Sequence, residues 1–171
     1  MGREEQIVNE RFKKIEELKK HNINPYPTRY DKKQSCLECS KAKTGAKIST
    51  AGRLMTKRDL GKIIFSNLRD YEGEIQLVLQ EPKTPKNTID FLKKYLDLGD
   101  FIGVEGEIFK TKTGQKSILV QKIEILSKST SPLPEKWHGL QDKEERCGQG
   151  DRGRRREGDT LRPAVGPPYS E

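Results

Sequence analysis

The sequence predicts a mainly β fold with helices, centred on a five-stranded barrel that follows an N-terminal helix. Three observations carry this. Apolar residues make up 31% of the 171-residue chain against 35% charged, and they cluster between Ile48 and Leu126, so one small core is what the chain can build. Within that stretch the residues alternate apolar and polar with the period of two that a half-buried strand imposes. Short connections carrying Gly61, Gly73 and Gly114 separate the alternating runs, as hairpin turns do.

Ahead of the barrel, REEQIVNERFKKIEELKKHN spaces Ile7, Val8, Phe12, Ile15 and Leu18 as one narrow stripe, which predicts a helix over 3–22. Acidic residues weigh on its first turn and lysines on its last, in keeping with the helix dipole. The stripe reads as a packing face. Lys13, Lys14, Lys19 and Lys20 form a basic ridge whose second use would be phosphate contact. Asn24, Pro25, Tyr26 and Pro27 then end the helix, because proline cannot continue it and restricts the residue before it. An extended segment completes residues 1–46. Cys36 and Cys39 in that segment have the spacing of half a zinc site, but a structural zinc takes four ligands. His21 and His138 stand alone and Cys147 is distant, so the thiols are read as reduced and no metal is expected.

The barrel is predicted from strands at 47–57, 62–70 and 74–80, a helix at 87–98 closed by Gly99, and strands at 101–110 and 115–126. Residues i, i+2 and i+4 of a strand share a face. Ile75, Leu77 and Leu79 then face inward and Gln76 outward. Ile64 and Leu68 likewise put Phe65 on the outer face, beside Gln76, and Ile48, Thr50, Gly52 and Leu54 put Arg53 there. An aromatic ring flanked by an amide and a guanidinium is a platform on which a base stacks while its edge is hydrogen-bonded. Three strands, a helix and two strands is the order of an OB-fold, which binds oligonucleotides across its second and third strands. Many such barrels bind protein or sugar instead, so the fold alone does not assign the function.

The charge of the chain, +8 at neutral pH, favours a polyanionic partner. No apolar run approaches the ~20 residues that cross a bilayer, and the charged N-terminal stretch lacks a signal-peptide pattern. A cytoplasmic protein without membrane partners is expected.

Five segments, NINPYP, GRLMTKRDLGKIIFSNLRD, GEIQLVL, LGDFIGVEGEIFKTKTG and LPEKWHGLQDKEER, occur in an order that resembles the N-terminal anticodon-binding domain of class II lysyl-tRNA synthetases, over roughly residues 4–146. The last segment favours the lysine enzymes over their aspartate and asparagine relatives. The resemblance implies that Phe65 stacks on the central anticodon base of a lysine tRNA, that Gln76 bonds to its edge, and that Arg53 and Arg58 contact the anticodon loop. Lys57 and Lys62 would add supporting phosphate contacts. Gln115 occupies a position where the family usually has a glutamate that takes part in anticodon reading; glutamine keeps hydrogen-bonding capacity and loses the charge.

After Arg146 the resemblance stops. Residues 147–171 are rich in Gly, Arg and Pro and contain no lysine, a composition that predicts disorder and suggests a shifted reading frame, a chimeric sequence or a truncated gene. The division expected is 1–46 helix and linker, 47–126 barrel, 127–146 linker toward a missing catalytic domain, and 147–171 tail. The function expected is tRNA anticodon binding by a monomer. The arginine-bearing and glycine-rich arginine motifs with which the family holds ATP, magnesium and lysine are not found, so the chain alone is expected to need no cofactor and to form no lysyl-tRNA. The alternative is a general single-stranded nucleic-acid binder indifferent to anticodon sequence.

Overall fold

The computed structural model describes residues 2–111 and 113–132. The expected tail at 147–171, most of the expected linker, His138 and Cys147 lie outside the described residues. Three helices and five strands follow in chain order: α1 (Arg3–Lys20), α2 (Cys36–Lys41), β1 (Lys47–Asp59), β2 (Ile63–Arg69), β3 (Glu74–Gln80), α3 (Lys86–Tyr95), β4 (Phe101–Lys110) and β5 (Lys116–Ser127).

The strands close into a barrel in the order β1-β2-β3-β5-β4. Only β3 and β5 run parallel; the other four pairings are antiparallel. This is the OB-fold arrangement that the element order predicts. Inward residues alternate as the period of two requires: Ile48, Leu54, Ile64, Leu68, Ile75, Leu77 and Leu79 are all buried in one core. Val78 is an exception, an outward position on β3 that is nevertheless 3% exposed.

Helix α1 ends two residues before the expected boundary, and the prolines are not what ends it. Asn22 takes a left-handed backbone (φ 56), its N–H donates to the Lys19 carbonyl, and the Ile23 N–H reaches back to Leu18 at 2.9 Å. That pairing is a Schellman stop, completed by the apolar residue after the turn packing on the core that contains Leu18.

Helix α2 is absent from the sequence reading because six residues are too few to show a period. Its N-terminus is built by Ser35, whose hydroxyl accepts from the Glu38 N–H while the Glu38 carboxylate accepts from the Ser35 N–H, a capping box. Cys36 and Cys39 face inward and are fully buried. Burial, with the Asp70 carboxylate nearby, pushes the Cys36 thiol up to about 12, and burial raises Cys39 as well. Asp70 ties α2 to the β2–β3 turn. One of its oxygens accepts from Lys32 (2.7 Å) and the Cys36 N–H (2.8 Å), the other from the N–H groups of Glu72 and Gly73, both at 2.9 Å.

Helix α3 also stops earlier than expected, at Tyr95, because Leu96 turns extended (ψ 132) to enter the core. Gly99 follows in the left-handed region (φ 97) and donates its N–H to the Leu54 carbonyl. Around the end of α3 lies a set of buried charges. The fully buried Lys128 ammonium donates to the Tyr95 carbonyl and to the carboxylates of Asp97 (2.6 Å) and Asp100 (2.7 Å). From α1, Lys14 reaches the other oxygen of Asp97, and the buried Arg11 guanidinium donates to the carbonyls of Leu98, Ser129 and Ser131. Such charges are tolerated in the interior because each is ion-paired or, for Arg11, fully engaged by carbonyl oxygens, and here they lock α1 to the barrel.

Candidate nucleic-acid interface

A groove of about 890 Å³ runs across the outer faces of β1, β2 and β3 and under the β4–β5 turn. The turn is held by Thr111, whose N–H donates to the Gln115 carbonyl and whose hydroxyl accepts from the Gln115 N–H, with Gly114 supplying the positive φ (84). Phe65, Arg58, Gln76 and Gln115 all line this groove.

Their meeting follows from strand register. Across β2–β3, Asn67 stands opposite Gln76 and Phe65 opposite Val78, so Phe65 and Gln76 are diagonal neighbours on one face, about 7–8 Å apart between backbones. Across β1–β2, Arg58 stands opposite Phe65 and Lys57 opposite Ser66. The register shifts between Leu54 and Thr56. This bulge at Met55 inserts one residue and reverses the alternation beyond it. The Arg58 side chain therefore comes to the groove side; Lys57 also borders the groove, but its side chain turns to the opposite side.

The consequence for Lys57 is plain. Its ammonium donates to the carbonyls of Leu92 (2.9 Å), Lys93 (3.3 Å) and Leu96 (3.2 Å) at the C-terminus of α3, where a cation completes the unpaired carbonyls and meets the negative end of the helix dipole. Burial pushes it below its ordinary value, with Asp97 acting the other way. Lys57 is thus committed to the fold rather than offered to a phosphate. Lys62 is exposed and precedes β2, outside the groove lining. Arg53 is also apart from the groove: it lies before the bulge and holds its guanidinium 4.8 Å over the Phe101 ring.

Within the groove the amides are oriented by neighbours. The Ser117 hydroxyl donates to Gln76 Oε1 at 2.8 Å, which leaves the Gln76 NH2 to donate to a bound group. Asn67 Nδ2 donates to Glu74 Oε1, which leaves its carbonyl oxygen to accept. Glu74 is in turn paired with Arg69 (2.7 Å). No carboxylate lines the groove among the described residues. An aromatic face, a donor, an acceptor and an unpaired guanidinium without a competing anion suit a stacked base and its adjoining phosphate. Asn67 and Ser117 were missed from sequence; counting back across the 70–73 turn places Asn67 opposite Gln76, whereas the parallel contact that brings Ser117 has no local signal.

Residues 48–126 match the family model of an OB-fold nucleic acid binding domain of the tRNA anti-codon type. The chain is 40% identical over 144 residues to a lysine–tRNA ligase of Thermosipho melanesiensis, covering 79% of this chain and 29% of that protein. It is 43% identical over 155 residues to one of Dehalococcoides mccartyi, covering 85% and 31%, and 38% identical over 148 residues to one of Thermotoga maritima, covering 81% and 30%. The chain therefore spans about three-tenths of the length of these curated relatives. No helix among the described residues is long and apolar enough to cross a membrane.

Proposed function

Because the chain belongs to the lysine–tRNA ligase family and carries its OB-fold anticodon-binding domain at residues 48–126, we propose that it binds the anticodon loop of a lysine tRNA. The observation that carries this is the convergence of Phe65, Gln76 and Arg58 on one carboxylate-free groove. In this reading Phe65 stacks on a base, Gln76 donates to its edge through the NH2 that Ser117 leaves unused, and Arg58 meets a phosphate. Gln115 stands over the groove mouth as a neutral hydrogen-bonding group. Phosphate contacts supply most of the affinity and its salt dependence, and base contacts supply the preference for sequence.

Aminoacylation, with the ATP and magnesium it uses, belongs in this proposal to the parts of the relatives that this chain does not span, and the chain acts as a monomer in the cytoplasm. Formation of lysyl-tRNA by the purified chain would overturn that part. The central test is binding to a lysine-tRNA anticodon stem-loop and to the same stem-loop with its middle anticodon base changed, at two salt concentrations. Preference for the unchanged loop supports the proposal. Equal, salt-sensitive binding would instead favour a general single-strand binder, a reading that the loss of charge at Gln115 makes concrete.

A further inference from the structure

Beyond the groove, the outer face of the barrel carries a second concavity whose lining includes Lys32, Arg53, Arg69, Asp70, Tyr71 and Phe101. We propose that it is a second RNA contact, which holds a nucleotide flanking those in the groove without reading its base. The inference rests on the anticodon-loop reading above and extends its footprint.

Continuity carries the first step. Phe65, Asn67 and Arg69 are successive outward positions on β2; the first two line the groove and the third lines the second concavity. Arg69 stands opposite Arg53 on β1. The two concavities therefore lie along one strand face, and a strand of RNA leaving the groove in that direction meets the second.

Charge carries the next. Asp70 is the carboxylate that lines the concavity, and it is neutralised by Lys32 at 2.7 Å and by three backbone N–H groups; Arg69 is paired with Glu74, also at 2.7 Å. Arg53 forms no salt bridge among the described residues; its guanidinium rests on Phe101. The remaining carboxylate nearby, Glu72, accepts from the Tyr71 hydroxyl and does not line the concavity. Among the described residues Arg53 and Arg58 are thus two guanidiniums without a carboxylate partner on the outer side of β1, about 15 Å apart at the rise of a strand. That separation matches a few nucleotides of extended backbone rather than one.

Exposure carries the last. Tyr71 is 92% exposed and Phe101 40%, so two rings border a site whose third wall is a planar guanidinium. Rings and arginine planes are the surfaces on which unpaired bases stack irrespective of sequence. The site contains no oriented amide of the kind that Gln76 and Asn67 provide, so it would add affinity and leave base preference unchanged.

The experiment measures binding of the anticodon stem-loop and of its middle-base variant by Arg53→Gln, Tyr71→Ala, Phe65→Ala and Gln76→Ala proteins over a salt series, with thermal unfolding as a check on folding. The expected result is about a fivefold or greater loss of affinity for Tyr71→Ala on both loops alike. Arg53→Gln should make the salt slope shallower by about 0.7, the share of one single-strand phosphate contact. If Phe65→Ala weakens binding while Tyr71→Ala and Arg53→Gln leave it unchanged, the second contact is wrong and the groove stands. If none of the variants matters, both readings fall. Unchanged RNA binding combined with loss of self-association in sedimentation for Tyr71→Ala would make the patch a protein interface and overturn the proposal.

Discussion

Arg58 stands directly across the β1–β2 ladder from Phe65, so a guanidinium and an aromatic ring share the outer face of the barrel. Its neighbour Lys57 is turned to the last carbonyls of α3. Two adjacent basic residues thus have separate duties, one toward a ligand and one toward the fold, and the single-residue bulge at Met55 decides which takes which.

Removing the two charges should separate those duties. Arg58→Gln should make the salt dependence of stem-loop binding shallower by about one phosphate contact and leave the denaturant midpoint unchanged. Lys57→Met should do the reverse, costing about 1–2 kcal/mol of stability through loss of a cation at the helix C-terminus. Parallel salt titrations and urea unfolding of the two variants decide; equal salt slopes would contradict the division.

Phe65→Ala should weaken binding by about 1–3 kcal/mol at every salt concentration, because stacking involves no counterion release. Anisotropy titrations at low and high salt should give two parallel losses, and a loss confined to low salt would mean that the ring acts only by positioning charges.

Acid should loosen α2 and the end of α3. Burial alone would raise Asp70, but Lys32 and the backbone N–H groups of Cys36, Gly73 and Glu72 outweigh it and hold the carboxyl well below its usual range. At Asp97 burial is likewise outweighed by Lys128 and Lys14. Carboxyls depressed in the folded state add stability that is fully present above their unfolded value of about 4 and is lost as pH falls through their folded values. Stability measured by urea unfolding should therefore fall steeply below about pH 4, and Asp70→Asn should be less stable at neutral pH and show a flatter acid limb.

Gly106 pairs with Val120 at a register shift between β4 and β5, and a Cβ there would run into the Leu119 carbonyl oxygen. Since backbone cannot move aside as a side chain does, Gly106→Ala should destabilise the barrel by about 2–3 kcal/mol or more, read as a lower melting temperature.

The strands and their inner faces were legible because Ile64, Leu68, Ile75, Leu77 and Leu79 mark one side by apolarity alone. The bulge was not. It falls in Met55-Thr56-Lys57-Arg58, where no side carries an apolar pair to reveal that the alternation has slipped, and so the Lys57 ammonium reads as a phosphate contact from sequence. Helix α2 left one trace, the Ser35–Glu38 capping box, within a segment too short for periodicity. The cluster of Arg11, Lys128, Asp97 and Asp100 is invisible for a different reason: each is an ordinary surface charge until a partner as many as 120 residues away along the chain encloses it. At the site, Phe65 and Gln76 could be read from strand arithmetic, whereas the orientation of the Gln76 amide depends on Ser117, 41 residues distant.

The match to the OB-fold family model spans residues 48–126, yet cooperative folding does not respect that boundary. Leu18, Cys36 and Cys39 belong to the same core as the strands, the Tyr30 ring occupies the space beside Gly103, and the N–H groups of Lys33 and Gln34 are both spent on the Ser49 carbonyl. A fragment trimmed to the similarity boundary would open a notch in β4, unpair the start of β1 and strip one side of its apolar filling. The portable module, the piece that could be transplanted into another protein and still fold, therefore begins at α1.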